Sequence, residues 1–159
     1  MKVKNIIDED FIKYRLPSMV IGFPKCNFKC ENECAEVHCQ NRQLALQPDI
    51  QINIDKICER YLNNPITKAI VCAGLEPFDS IDDLIELVKT LRVKYKCNDT
   101  IVIYTGYYSY EITDVLAILG QYSNIIVKVG RYKINDKPHY DELLGVDLAS
   151  DNQKAIQLS

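Results

Sequence analysis

No stretch of this sequence approaches the roughly 18 consecutive apolar residues that a membrane-spanning helix requires. The chain also lacks a basic excess, since its formal net charge is −3, so composition gives no support for nucleic-acid binding. An apolar leader is missing as well, because the N-terminus turns acidic at Asp8-Glu9-Asp10. These absences predict a cytoplasmic protein that acts neither on membranes nor on nucleic acid.

Internal repeats, low-complexity segments and linkers rich in Pro, Gly or Ser are also absent from the sequence. We therefore expect a single domain over residues 1–159, which is long enough to bury a core without disulfide or metal staples. The hydrophobic fraction of 47% fits an ordinary globular protein.

Four of the seven cysteines lie close together, in a predicted loop over residues 24–41. Cys26, Cys30, Cys34 and Cys39 follow one another as C-x3-C, C-x3-C and C-x4-C. In a reducing cytosol such clustering indicates metal ligands or redox groups more often than disulfides. An iron–sulfur cluster is favoured over zinc, because structural zinc sites usually take two well-separated cysteine pairs. Zinc and a disulfide remain alternatives, and the scattered cysteines 58, 72 and 97 are predicted to be small hydrophobic residues of the core.

Short apolar runs predict four buried strands, at residues 18–23, 68–73, 100–104 and 124–129. Helical periodicity predicts helices near residues 55–63, 80–91 and 109–119, with Asp55, Ser80 and Ser109 as N-caps, and a short helical piece at 42–46. The tail from about 130 to 159 is predicted to be irregular. Alternation of strands and helices predicts an α/β fold with a mostly parallel sheet, which remains laterally open because four βα elements cannot close an eight-stranded barrel.

In such sheets a ligand binds beyond the carboxyl ends of the strands. The cysteine loop, Gly74–Pro77, Thr105–Tyr107 and Gly130–Arg131 each follow one predicted strand, so they should meet at one edge. Glycine at 74 and 106 permits close backbone approach. Pro77 removes a donor and so leaves strand carbonyls free to accept from a ligand ammonium group, to which Glu76 would add charge. A simple β-to-α turn is the alternative interpretation of this motif.

Taken together, these motifs resemble the activating protein of anaerobic class III ribonucleotide reductase, a small radical S-adenosylmethionine enzyme. The resemblance extends over nearly the whole chain. Its most telling element is Tyr104-Thr-Gly-Tyr107, supported by the cysteine loop, by Gly74-Leu-Glu-Pro77 and by the tail sequence Ser150-Asp-Asn-Gln-Lys154. The fold that it implies is an open partial (βα) barrel of the radical S-adenosylmethionine type.

The chain departs from the family pattern C-x3-C-x2-C, since position 33 is not cysteine. Cys39-Gln-Asn41 resembles the last ligand and its trailing asparagine, which implies Cys26, Cys30 and Cys39 as cluster ligands with Cys34 as the alternative third ligand. By the same resemblance the cosubstrate site comprises Asn41, Gly74, Glu76, Pro77, Tyr104, Thr105 and Gly106. Leu75 replaces a family glycine, and Val129, next to Lys128, stands where an acidic residue is expected.

The activity implied by the resemblance uses a 4Fe–4S cluster and S-adenosylmethionine. Reductive cleavage of that cosubstrate yields a 5′-deoxyadenosyl radical, which takes a hydrogen from a glycine of the large reductase subunit. An electron donor such as flavodoxin or ferredoxin is implied as a second partner. Two alternatives stay open: radical chemistry on another glycyl-radical enzyme or a small molecule, and a zinc-binding module without catalysis.

Overall fold

The structure, a computed structural model, describes residues 1–34 and 39–159, without the side chain of Cys34. The strands in these residues are β1 (Lys2–Val3), β2 (Asn5–Asp10), β3 (Ser18–Phe23), β4 (Ile50–Gln51), β5 (Ala69–Gly74), β6 (Thr100–Tyr104), β7 (Ile125–Val129), β8 (His139–Asp141), β9 (Val146–Leu148) and β10 (Lys154–Gln157). The α-helices are α1 (Lys29–Cys34), α2 (Arg42–Ala45), α3 (Ile54–Leu62), α4 (Ile81–Lys89) and α5 (Thr113–Leu119). Single turns of 3₁₀-helix lie at Pro77–Ser80 and Ser109–Glu111, and a π-helical turn, Thr90–Lys94, extends α4.

Six strands form the central sheet, in the order β10-β7-β6-β5-β3-β2. The four strands predicted from apolar runs lie side by side and parallel at its centre, while β2 and β10 add antiparallel edges. The predicted α/β fold with a mostly parallel sheet is therefore confirmed. The sheet has two free ends in this order and is not closed, and it does not show the barrel that the resemblance implies.

Alternating side chains of the central strands build two separate cores. On one face, Ile21, Ile103 and Val127 pack with residues of the helices α3, α4 and α5. Cys58 and Cys72 are fully buried on this face, as predicted, and Cys97 is half-buried against it. The other face carries Val71 and its neighbours and is covered by the chain itself, through residues of the segment 11–17 and the β8–β9 hairpin: Tyr14, Leu144 and Leu148.

The prediction of an irregular tail is wrong. Strands β8 and β9 pair as a hairpin, and β10 pairs with β7 from Lys154 opposite Val129 to Gln157 opposite Ile126. Strand β2 was not predicted either, because it is an edge strand like β10. Both edge strands are polar, because one side of an edge strand faces solvent, and they carry no continuous apolar run.

Two of the three predicted helix caps, Asp55 and Ser109, are wrong. Asn53, not Asp55, caps α3, because its side chain accepts from the backbone N–H of Asp55 at 2.8 Å. Ser109 lies inside the 3₁₀ turn Ser109–Glu111, and the residue that precedes α5 is Ile112. Ser80 is the N-cap residue of α4 as predicted, although its side chain makes no capping hydrogen bond. Over the described ranges, no helix is both long and apolar enough to cross a membrane.

Candidate functional site

A cavity of about 340 Å³ opens at the carboxyl ends of the parallel strands. All four stretches that follow these strands contribute to its wall, as the order of strands and loops predicts. The residues of the predicted site that line it are Cys26, Cys30, Cys39, Asn41, Gly74, Glu76, Tyr104, Thr105 and Gly106. Pro77 is not part of the wall; it is buried as the first residue of the 3₁₀ turn.

Three cysteines of the loop face this one cavity as free thiols. The Cys26 sulfur accepts from the backbone N–H of Phe28 at 3.2 Å, and the Cys30 sulfur accepts from the backbone N–H of Tyr132, just beyond β7. N–H donors of this kind stabilise a thiolate once it forms. Burial raises the pKa of Cys26 to about 12 and also raises the pKa of Cys30, so without metal both groups are protonated at neutral pH. Ligation would therefore release protons.

Glu31 closes the long loop between the second and third of these cysteines. This glutamate of α1 is buried, and its two carboxylate oxygens accept from the Cys39 backbone N–H at 2.9 Å and from the Arg42 guanidinium at 2.7 Å. One buried carboxylate thus ties both ends of the loop, which brings Cys39 to the wall that holds Cys30. The side chain of Cys34, the alternative third ligand, lies outside the described residues.

The first turn of the cysteine loop is fixed to the 3₁₀ turn that precedes α4. Asp79 accepts from the Asn27 backbone N–H at 2.7 Å and from the Tyr107 hydroxyl at 2.6 Å. The Asn27 side chain also donates to the Tyr107 hydroxyl at 2.7 Å. Residues beside Cys26, after β5 and after β6 therefore share one hydrogen-bond network. Sequence analysis did not identify this role for Asn27 or Asp79, although both adjoin residues that it selected.

A second set of contacts holds α1 from the opposite side. Glu111 accepts two bonds from Arg131, both of 2.8 Å, and one from Lys29 at 3.2 Å. The hydrogen bonds from Arg131 are the main reason that the pKa of Glu111 is lowered to about 2. Arg131 also pairs with Glu33 at 2.9 Å and lies over the Tyr108 ring. The helix that carries Cys30 is thus attached to the ends of both β6 and β7.

Glu76 joins three parts of the site and is only 5% exposed. Its carboxylate accepts from the Gly106 N–H at 2.8 Å and from the Phe78 N–H at 3.1 Å, while its own N–H donates to the Lys25 carbonyl at 2.8 Å. Burial raises its pKa to about 7. The carboxylate that sequence analysis assigned to a ligand therefore also connects β5, β6 and the cysteine loop.

One of the two glycines at this wall has a steric reason to be glycine. Gly74 has a φ of +94°, and a Cβ there would lie 2.7 Å from the backbone of β3. A Cβ at Gly106 would lie 3.4 Å from the Cys30 sulfur and 3.5 Å from a carboxylate oxygen of Glu76. These two distances are ordinary contact distances, so Gly106 lies where the cavity wall approaches a thiol, without a steric requirement for glycine.

The cavity continues over the second face of the sheet. Tyr104 and Lys128 line it from β6 and β7, and the Tyr104 hydroxyl donates to the Lys13 carbonyl at 2.6 Å. Burial lowers the pKa of Lys128 to about 8. Leu75 also lines the cavity, whereas Val129 faces the helix-covered core. Strand alternation could have placed Lys128 here, because its neighbours Val127 and Val129 have apolar core positions.

The three thiols are arranged as an iron–sulfur cluster would need them. Within residues 1–34 and 39–159, no three His, Cys, Asp or Glu side chains converge closely enough to hold one metal ion. Three thiols instead surround a shared cavity, and a cluster presents its irons at separate corners, each of which takes its own thiolate.

A comparison with known families supports a 4Fe–4S cluster in this chain. The family model described as "4Fe-4S single cluster domain" matches residues 18–155, from the first residue of β3 into β10. No curated protein matches the chain.

Proposed function

Because this chain belongs to the family of 4Fe–4S single cluster domains, we propose that Cys26, Cys30 and Cys39 hold its cluster and that the protein is a radical S-adenosylmethionine activating enzyme. The observation that carries the proposal is the meeting of three thiols from one loop at a single cavity beyond the parallel strands. Three protein ligands leave the fourth iron of a cubane for a ligand that is not protein.

The remaining cavity wall suits a small polar cosubstrate. Gly74 and Gly106 present backbone without side chains, and Asn41 and Thr105 offer polar groups beside them. Thr105 is itself oriented, since its hydroxyl accepts from the Tyr107 N–H at 3.0 Å. These residues would bind and orient S-adenosylmethionine in the cavity that the thiols share.

When bound, the cluster would supply the electron that cleaves the carbon–sulfur bond of S-adenosylmethionine and yields a 5′-deoxyadenosyl radical. The chain's own task is positioning and exclusion of water. Tyr14, Leu144 and Leu148 are buried in the core that covers the second face of the sheet. The proposed target is a glycine of the large anaerobic ribonucleotide reductase subunit, with flavodoxin or ferredoxin as the electron donor.

The first test is anaerobic reconstitution followed by iron and sulfide analysis and electron paramagnetic resonance of the reduced protein. We expect one 4Fe–4S cluster per chain, with a signal that changes when S-adenosylmethionine is added. Release of methionine and 5′-deoxyadenosine under reducing conditions would show cleavage. A sample that binds one zinc per chain and gives no cluster signal would contradict the proposal.

Ligand assignment is tested with three alanine variants. Cys39→Ala should lose the cluster, whereas Cys34→Ala should keep it, and Cys97→Ala, a half-buried cysteine away from the cavity, is the matched control. The reverse result for the first two variants would make Cys34 the third ligand. A closed four-thiolate zinc site would lose its metal in both.

The target is tested by incubating the loaded protein, S-adenosylmethionine and a reductant with an anaerobic ribonucleotide reductase. We expect a doublet glycyl-radical signal that appears only with the complete mixture. Cosubstrate cleavage without such a signal, for this and for other glycyl-radical enzymes, would assign the radical chemistry to a small molecule.

A further inference from the structure

Lys128 is a buried cation in the wall of the cysteine cavity. The residue is 7% exposed, and its ammonium group donates to the Gly130 carbonyl at 3.0 Å. No carboxylate of the described ranges lies within ion-pair distance of it; the salt bridges found there use other cations. The Tyr104 ring is 6.0 Å away, which gives a weak cation–π contact at most.

A buried ammonium group with one neutral partner destabilises the fold unless an opposite charge compensates for lost hydration. The other lysine of this cavity shows the contrast, since Lys13 pairs with Asp10 at 3.1 Å. Methionine would fill the place of Lys128 with similar length and no charge. A charged side chain at this position therefore points to an anionic group that the cavity receives.

Glu76 is the protein anion that acts most strongly on Lys128, from beyond ion-pair distance, and the group that the three cysteines would hold is a second anion at the same cavity wall. Lys128 lines the same cavity as Cys26, Cys30 and Cys39. A 4Fe–4S core in its usual oxidised state carries two positive charges, so three thiolates give it one net negative charge. One-electron reduction makes that two, which a nearby cation favours.

We propose that Lys128 is the charge partner of the cluster and sets its reduction potential, holding it higher than the thiolates alone would. This inference rests on the cluster assignment proposed above, but not on the identity of the cosubstrate or of the target protein. The carboxylate of Glu76, in the same wall, acts in the opposite direction. Its bonds to the Gly106 and Phe78 N–H groups disperse its charge, whereas Lys128 has only a carbonyl partner.

The test compares wild type, Lys128→Met and a surface control, Lys154→Met, in which an exposed lysine of the neighbouring edge strand loses its charge. Midpoint potentials are measured at one fixed neutral pH by dithionite titration monitored by electron paramagnetic resonance. The midpoint potential of the cluster in Lys128→Met should be more negative than in wild type, so that a smaller fraction of clusters is reduced at a given solution potential. Lys154→Met should match wild type, and Lys128→Arg should recover most of the shift.

Thermal unfolding of the metal-free proteins separates charge from packing. Metal-free Lys128→Met should be at least as stable as wild type, because an uncompensated buried charge has been removed. Stable protein that fails to retain a cluster while Lys154→Met retains it would also support the proposal. A loaded Lys128→Met with the wild-type potential would overturn it, as would a metal-free variant that is unfolded or clearly less stable. Failure of wild type itself to take up a cluster would instead refute the proposed function.

Discussion

The pH dependence of folding should expose the buried carboxylate of Glu76. Its pKa in the folded protein is raised to about 7 by burial, compared with 4.5 for an ordinary glutamate. The folded chain therefore binds this proton more tightly than the unfolded chain does. The resulting stabilisation is fully present below about pH 4.5 and is lost as the pH rises through about 7.

The size of the effect follows from the two pKa values. A separation from 4.5 to about 7 corresponds to about 3 kcal/mol of unfolding free energy, at about 1.4 kcal/mol for each pH unit. Because the side chain is 5% exposed, solvent screening takes little from this figure. Carboxylates with lowered pKa values, such as Glu111 and Asp10, act in the opposite direction and at lower pH, so they do not imitate the effect.

Urea denaturation of the metal-free, reduced protein at a series of pH values from about 4.5 to 7.5 measures this effect. Wild type should lose about 3 kcal/mol over the series, whereas Glu76→Gln should be nearly flat, because an amide does not titrate. Glu86→Gln, which removes an exposed carboxylate from α4, should keep the wild-type slope. Equal slopes for wild type and Glu76→Gln would refute the assignment of this proton to Glu76.

Three further substitutions test the supports of the site, each by urea denaturation and by cluster retention after reconstitution. Gly74→Ala should cost about 2 kcal/mol or more, because its φ is positive and its Cβ would meet the β3 backbone; an unchanged midpoint would contradict this. Glu111→Gln should cost about 2 kcal/mol, since Arg131 keeps its charge but loses two charged hydrogen bonds; an effect below experimental error would show that the pair is dispensable. Glu31→Gln should leave the fold largely intact but speed iron loss to a chelator, because the closure at Cys39 weakens; wild-type retention would argue against that role.

Much of the central sheet is predictable from the sequence, for a definite reason. Strands β3 and β6 match their predicted ranges, and β5 and β7 differ by one residue at their ends. These strands are buried on both faces, which requires the continuous apolar runs that sequence analysis detects. The edge strands β2 and β10 could not be predicted in this way, because they contain polar residues and no continuous apolar run.

Placement of the site was predictable, but the contacts inside it were not. Parallel strands deliver their following loops to one edge, so strand prediction alone brings the cysteine loop to Gly74, Glu76 and Gly106. The hydrogen-bond partners of these groups could not be predicted, because they lie in segments that are far apart in the sequence. The bond from Gly106 to Glu76 spans 30 residues, and that from Tyr107 to Asp79 spans 28.

The enlarged cysteine loop shows how a departure from a family pattern is accommodated. Eight residues separate Cys30 from Cys39, and a spacing this long would ordinarily let the last thiol drift away from the other two. Glu31 removes that freedom by accepting from the Cys39 backbone while it pairs with Arg42. Because Glu31 directly follows Cys30, its bond to Cys39 holds the two cysteines close together. The position of Cys39 beside the other two thiols therefore depends on the contact with Glu31 more than on the number of residues in the loop.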